Sequence, residues 1–448
     1  MAREAQLQGE GRSATADPQA LFAEAVQLHQ QKRYDEAEGR YIELLQLLPG
    51  HPRVLANLAL LYREIRRFEE AVRCCRQALR ESPDDPLLHL NLGAVYEEQG
   101  DIPAAIASFR RTLEIEPDNA KALNNLGKAL HRQGEVVEGE KCIRRALQLA
   151  PEYPLALNNL GVILSEQGDL EKAADCFGRA LHLEPDNSGT LYNLAGIHNC
   201  RGEIEKAVPL LEKILVLEPG HALAGHMLAA LVGETTETAP RAYVEATFDA
   251  YAGRFDRHLT EKLGYTVPLV LREMVGELFR QEHIFSSTLD LGCGTGLAGE
   301  AFRKMSRRLE GVDVSTKMLA RAEGKGVYDL LKRQDAETFL ADCHGTYDLF
   351  VATDVFVYIG RLEPIFAGLA RCSAPGALLA FSVERCAGED EYCLRPSGRY
   401  AQSRRYIDRL AGEFGWEVLG HRQHGIRREE GQWIEGDLFV LRLCAGGA

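Results

Sequence analysis

Eight consecutive residues, Leu289-Asp290-Leu291-Gly292-Cys293-Gly294-Thr295-Gly296, carry the clearest chemical signal in this chain. Three alternating glycines follow a short apolar run, Ser287 to Leu291, and a helix-like pattern from Leu297 to Met305 comes next. That is strand, tight turn, helix. Glycine is needed where the backbone turns sharply and lets a ligand approach with no Cβ in the way. Asp313 closes the following apolar run, Leu309 to Val312. A carboxylate about 20 residues beyond such a turn is placed to accept both hydroxyls of a ribose. Asp335 ends a third run, after Leu330-Leu331 and just before Ala336, and its carboxylate is placed to accept from an adenine amino group. Asp290 sets this turn apart from the common dinucleotide loop. An acid before the first glycine repels an anionic pyrophosphate but not a ligand bearing sulfonium and ammonium groups.

The D-x-G-x-G-x-G pattern, with two acids downstream, resembles motif I of the class I S-adenosylmethionine-dependent methyltransferases. The resemblance implies S-adenosyl-L-methionine as cofactor, held by Asp290, Gly292, Gly294, Gly296, Asp313, Asp335 and Ala336. In methyltransferases of this type an aromatic segment precedes the first strand and lies over the cofactor. Here that segment is Phe248 to Asp256, and Tyr251 and Phe255 fall four apart on one helix face. They are candidates for such a lid, with core packing of the helix as the alternative.

The fourth apolar run ends Ala352-Thr353-Asp354-Val355-Phe356-Val357-Tyr358. It lacks the Asn/Asp-Pro-Pro-Tyr/Phe of adenine or glutamine nitrogen methylation, and no Pro-Cys follows to support a covalent cytosine mechanism. Asp354 and Tyr358 are the candidates to face the methyl acceptor, Asp354 serving equally well as a turn cap. Arg399 and Tyr400, in the segment Arg395 to Ser403, are candidate substrate contacts. Ser403 is placed to N-cap the helix Arg404 to Phe414.

Seven strands are expected to position these groups: Ser287–Leu291, Leu309–Val314, Leu330–Asp335, Tyr347–Asp354, Ala377–Glu384, Trp416–His421 and Asp437–Leu443. Helical patterns separate the first five, which predicts a parallel, doubly wound (Rossmann-like) α/β sheet with right-handed crossovers. The last two have no helix between them and read as a hairpin with Gly431 in its turn region. Ligands in such sheets bind at the carboxyl ends of the strands, where Gly292, Asp313, Asp335 and Asp354 fall.

The preceding half has a different period. Ala37, Ala71, Ala105, Gly139, Ala173 and Ala207 recur every 34 residues. Tyr41, Cys75, Phe109, Ile143, Phe177 and Leu211 follow four residues later, and a proline closes each unit from Pro49 to Pro219. This resembles the tetratricopeptide repeat, two antiparallel helices per unit stacked as an all-α solenoid. Residues 18–233 read as six repeats plus a closing helix, 1–17 as a polar tail, 234–240 as a linker, and 241–448 as the methyltransferase domain. Asn57, Asn91, Asn125, Asn159 and Asn193 occupy one position of five successive units. Asparagine is a poor helix former. Two readings of its repetition stand: an amide ladder holding an extended peptide by its backbone, or hydrogen bonds between repeats.

At 448 residues and 45 % hydrophobic content the chain has ample material for more than one core. A formal charge of −14 makes nucleic acid an unlikely partner. Eleven cysteines show no metal-ligand spacing, and no run approaches the ~18 apolar residues of a membrane span, so no metal and no membrane are expected. These features predict a reduced, cytoplasmic protein. The expected function is a methyltransferase whose array recruits a protein partner or substrate, the methyl acceptor being open. The alternatives are a small-molecule methyltransferase with an array for assembly, and a non-catalytic scaffold with a vestigial cofactor domain.

Overall fold

The computed structural model of the chain describes residues 17–251, 256, 259, 264–279, 283–429 and 432–444. It divides into two compact units, one ending at Pro185 and one beginning at Asp186.

The first unit holds five helix pairs, from Pro18–Gln30 with Tyr34–Leu47 to Pro154–Glu166 with Leu170–Leu183. The 34-residue period maps onto these pairs. Ala37, Ala71, Ala105 and Ala173 are fully buried where the two helices of a unit cross. The fourth unit uses glycine instead, and a Cβ added to Gly139 would fall 2.6 Å from the Gly127 carbonyl. Turns are set by capping. The Asp85 carboxylate accepts from Leu87 N, the Asn119 side chain accepts from Ala122 N, and Gly100 and Gly134 end helices at φ +93° and +95°. Side-chain pairs tie successive repeats at a constant separation of 35 residues: His29 to Glu64 at 3.3 Å, Arg63 to Glu98 at 3.5 Å, Arg132 to Glu97 at 3.3 Å, and His131 to Glu166 at 2.8 Å.

The second unit begins with the sixth repeat, Ser188–Cys200 and Ile204–Leu217, and the closing helix Ala222–Val232. The compact units therefore part between the fifth and sixth repeats, not at 234–240. The segment expected as a linker is a hydrogen-bonded strap. Glu237 O accepts from Gly360 N and Arg361 N, Thr238 bridges Ile359 antiparallel, and Ala239 N donates to Tyr358 O.

Among the described residues nine strands follow: β1 (Thr288–Leu291), β2 (Leu309–Asp313), β3 (Leu330–Arg333), β4 (Tyr347–Ala352), β5 (Ser373–Arg385), β6 (Tyr392–Leu394), β7 (Tyr400–Gln402), β8 (Trp416–Glu429) and β9 (Gln432–Leu443). The parallel part runs β3-β2-β1-β4-β5, and β9 pairs antiparallel between β5 and β8. Burial on both faces explains the apolar runs. In β4, Phe350 and Ala352 join the core on one face, Leu349 and Val351 the core on the other. Two features exceed the sequence expectation. The segment around Arg399 is a hairpin, β6 and β7, whose second strand pairs parallel with Glu384 and Arg385 of β5. The final hairpin is also longer than expected, reaching Glu429 and starting again at Gln432, while Gly431 lies outside the described residues. Among the described residues no helix is long and apolar enough to cross a membrane.

Candidate functional site

A cavity of about 780 Å³ opens at the carboxyl ends of β1, β2 and β4. One end is built by the glycine turn and the two acids beyond it. Gly292 and Gly294 line the cavity at φ +61° and +53°, and a Cβ on Gly292 would fall 2.6 Å from a Val355 methyl. Asp313, only 9 % exposed, is fixed through both oxygens: Oδ1 accepts from Ser315 N at 2.8 Å and Oδ2 from Gly294 N at 2.9 Å. Each oxygen keeps a further lone pair for a hydroxyl. Burial raises the Asp313 pKa, and backbone N–H contacts from Ser315, Gly294 and Val314 oppose that rise. Asp335 caps the helix Ala336–Ala341 with Oδ1, 2.8 Å from Thr338 N, while its Oδ2 lies 3.7 Å from Arg241. Ala336 also lines the cavity.

Two of the expected cofactor residues lie beneath the turn instead of lining the cavity. Asp290 is 1 % exposed; its Oδ2 accepts from the Tyr328 hydroxyl, and its Oδ1 has no hydrogen-bond partner among the described residues. Burial pushes its pKa up to about 7. Gly296, at φ +92°, starts the helix Leu297–Phe302, and a Cβ there would crowd the Tyr328 ring at 3.0 Å. Gly299 and Gly311 press on the same ring. Tyr328 thus supports the turn from below, a role with no local sequence signal. Tyr251 ends the helix Arg241–Tyr251, but its side chain and all of Phe255 lie outside the described residues. The same helix lines the cavity with Arg241, Val244, Thr247 and Phe248. It is held to the β2–β3 side of the cavity by Ser315 Oγ and Lys317 Nζ, which donate to Asp249, and by Arg333 bonded to Glu245.

The other end gathers residues distant in sequence. Asp354 is a non-glycine residue at φ +59°, an uncommon conformation, beside the cavity. Its N–H donates to Ser382 Oγ at 2.9 Å, and Arg427 Nη1 donates to its two oxygens at 2.9 and 3.1 Å. Arg427 is 2 % exposed, and its Nη2 bonds Glu384, which is equally buried and also takes Arg395 at 3.2 Å. Tyr358 lines the cavity, its ring edge-on to Phe248 at 5.3 Å. Arg399 lines it too. Tyr400 does not: it is fully buried in the hairpin, bonded to Thr236, and packs near the closing helix. The reading of Tyr400 as a substrate contact is therefore corrected to a packing role; the first strand position of β7 turns it inward.

The hairpin is pinned by the repeat elements of its own unit. His226 Nε2 lies 2.9 Å from Gly398 O, Asn199 donates to Pro396 O at 3.1 Å, and Leu394 N donates to Thr235. Gln402 donates to Phe356 O and Ile359 O, tying β7 to the loop that carries Asp354 and Tyr358. None of these contacts follows from a motif. Arg427 was missed because the alternating pattern of β8 fades after His421, while pairing to β9 carries the strand on to Glu429.

The expected asparagine ladder is half-buried throughout. Asn57 bonds its own helix at Arg53 O; Asn159 donates to Asn124 of the preceding repeat at 2.9 Å, and Asn124 in turn to Asn125. Asn159 thus makes an inter-repeat bond.

Residues 289–381 match the methyltransferase-domain family, and residues 56–120, 118–183 and 164–231 match tetratricopeptide-repeat families. The chain joins tetratricopeptide repeats to a class I methyltransferase domain. Curated relatives of this methyltransferase domain include the ubiquinone biosynthesis O-methyltransferases of Burkholderia orbicola, 29 % identical over 21 % of this chain and 43 % of theirs, and of Thiobacillus denitrificans, 31 % identical over the same shares. The malonyl-[acyl-carrier protein] O-methyltransferase of Buchnera aphidicola is 28 % identical over 22 % of this chain and 39 % of that protein. The match spans about two-fifths of the length of these relatives. Among solved structures, the Cut9-Hcn1 complex of APC/C is similar with a TM-score of 0.46 and 16 % identity, over 48 % of this chain and 43 % of that one. Pseudomonas aeruginosa pilF gives 0.41 and 16 %, over 45 % and 92 %.

Proposed function

We propose that this tetratricopeptide-repeat methyltransferase uses S-adenosylmethionine and that its repeat array recruits a protein partner. The observation that carries the cofactor reading is Asp313, fixed by two backbone N–H groups at the lip of a glycine turn with lone pairs left for a ribose diol. The remaining groups fit the same ligand. The Asp335 oxygen that does not cap Thr338 suits the adenine amino group, and Gly292 lets the turn pack against Val355, where a Cβ would fall at 2.6 Å. When bound, the cofactor supplies an already electrophilic methyl group, so the chain has to align an acceptor and exclude water. The helix Arg241–Tyr251 and the Thr238–Ala239 strap cover the cavity for that purpose. Asp354, gripped by Arg427, suits orienting the acceptor.

Titration calorimetry on the full chain tests the cofactor site. Asp313→Ala removes a charged acceptor of two hydroxyls, each such bond being worth roughly 1.5–3 kcal/mol. At least a tenfold loss of S-adenosylmethionine affinity is expected, with the fold intact; unchanged affinity overturns the assignment.

A second reading, a small-molecule acceptor with the array serving assembly, is favoured by the cavity's volume of about 780 Å³ and by the self-bonded asparagines Asn124, Asn125 and Asn159. Labelled cofactor added to a lysate separates the two readings: label in protein supports a protein acceptor, label in small metabolites the second.

A further inference from the structure

We infer that Cys386 and Cys393 are an oxidisable dithiol. A low-molecular-weight disulfide of the glutathione type closes them into an intramolecular disulfide, and that bridge loosens the Asp354 end of the cavity. The inference depends on neither the cofactor nor the acceptor.

All eleven cysteines are free thiols, and this pair stands apart by geometry. Cys386 Sγ lies 3.4 Å from Cys393 Sγ. By contrast, Cys372 aims its thiol at Leu340 O and Cys343 O, and Cys343 aims its own at Gly345 O. Cys386 is buried and Cys393 only half-buried, so an oxidant reaches Cys393 first. The intervening residues Ala387 to Asp390 are exposed and belong to no strand, which leaves that stretch free to follow the sulfurs.

The chemistry is thiol–disulfide exchange. The Cys393 thiolate attacks one sulfur of oxidised glutathione; a mixed disulfide forms, the reagent's S–S bond breaks, and one glutathione thiolate leaves. The Cys386 thiolate then attacks the Cys393 sulfur and expels the second. The two protons given up by the protein thiols end on the two glutathione thiolates. The pair loses two electrons and the reagent gains them. Burial pushes the Cys393 thiol up to about 11, so the first attack is slow at neutral pH.

The bridge has a structural consequence because β7 lies between its two ends. Cys386 N donates to Gln402 O on one side of β7, and Cys393 pairs with Ala401 on the other. A disulfide holds its sulfurs at about 2.05 Å, so closure draws both flanking segments together across β7. The Gln402 side chain donates to Phe356 O at 2.9 Å and Ile359 O at 2.8 Å, in the loop after Asp354. Two residues beyond Cys393, Arg395 bonds Glu384, which bonds the Arg427 that grips Asp354. Displacing β7 and β6 therefore strains both ties to Asp354.

The full chain incubated with millimolar oxidised glutathione tests this. Trypsin cuts after Arg385 and Arg395 and releases both thiols on one peptide, 386–395. That peptide is expected to lose two hydrogen atoms in mass, and dithiothreitol to restore them. Cys386→Ser is expected to stop at a glutathione adduct on Cys393. Hydrogen exchange of the bridged chain is expected to be at least threefold faster over 356–361 and 400–402, and within twofold of the reduced chain over 289–296. The double variant Cys386→Ser/Cys393→Ser, treated alike, controls for adducts at the exposed Cys200 and Cys444 and is expected to show no change. Glutathione left on Cys393 of the parent, an unmodified pair, a bridge without faster exchange, or equally faster exchange in the double variant overturns the inference.

Discussion

The two ends of the cavity are built by opposite strategies. The glycine-turn end comes from strand–turn–helix segments in which the cavity-lining residue is the last of a strand or the first of a turn: Gly292 after β1, Asp313 at the end of β2, Asp335 just after β3. The acceptor end comes from residues up to 228 positions apart in the chain, such as Asn199 and Arg427, joined through hydrogen bonds across the β6–β7 hairpin and the buried charge network. The first strategy builds one end of the cavity from local strand–turn–helix segments. The second leaves the acceptor pocket free to differ while the sheet stays the same.

The largest test of this contrast is truncation. A chain starting at Arg241 keeps every cofactor residue but loses His226, Thr235 and Thr236, with the apolar contacts of Ala229 and Ala230 around Tyr243, Leu394 and Tyr400. A chain starting at Asp186 keeps them all. The shorter fragment is expected to be insoluble or to melt roughly 10 °C below the longer one, a change of several kcal/mol for a domain of this size. Equal melting and equal cofactor affinity would show that the sixth repeat and closing helix are only appended.

Next in size is Arg427→Met. Removing Arg427 leaves Asp354 without this partner and buried Glu384 with Arg395 alone, at a cost of about 3–5 kcal/mol. Urea unfolding measures it. A loss below about 1 kcal/mol would mean that the network is more hydrated than its 2 % exposure indicates.

The same contrast explains what was legible in the sequence. Strand ends, the glycine turn, Asp313 and the 34-residue repeat are local patterns, and each was readable. Gly296 and Asp290 were found as residues but with the wrong contact. Their partner Tyr328 arrives from beyond β2, and no periodicity announces it. Tyr400 was assigned to the cavity because the hairpin was read as a loop, where an exposed tyrosine is the natural expectation. The boundary at Gly233–Pro240 followed composition: the segment is polar and aperiodic. Its backbone nevertheless pairs with Tyr358, Gly360 and Arg361. Backbone pairing of that kind is independent of side-chain pattern, so composition alone does not reveal it.

A third test belongs to the cofactor end. Asp290 has a pKa near 3.8 when unfolded and about 7 when folded. Below about pH 4 it is protonated in both states and contributes nothing to the pH dependence. Between about 4 and 7 the unfolded chain releases the proton and the folded chain holds it, so this group lowers stability as pH rises. Above about 7 the penalty is complete, on the order of 2–4 kcal/mol. Asp290→Asn stays neutral and can still accept from Tyr328. Its stability relative to the parent is expected to climb between pH 4 and pH 7 and then level off, as read by urea unfolding at several pH values. A flat difference would mean that Asp290 is charged in the folded state.

The smallest expected effect carries the contrast between local and long-range bonding into the repeats. Asn57 donates to Arg53 O within its own helix, whereas Asn159 donates to Asn124 of the preceding repeat. Both positions share one place in the 34-residue unit. Alanine is the better helix former by roughly half a kcal/mol. At Asn57 the lost bond is local, and the substitution is expected to be neutral or slightly stabilising. At Asn159 it removes an inter-repeat bond of about 0.5–1.5 kcal/mol, leaving Asn124 short of a donor. A net loss of up to about 1 kcal/mol is expected, seen as a lower denaturation midpoint for the array. The same variants, assayed for capture of a partner, settle what the amides are for. If Asn159→Ala melts below the parent while Asn57→Ala does not, the Asn159 amide is a strut, and a peptide ladder would have to rest on the other positions. If neither variant melts lower and both bind partner poorly, the row of asparagines is a binding surface, and the Asn159–Asn124 bond is one that a bound chain replaces at little cost.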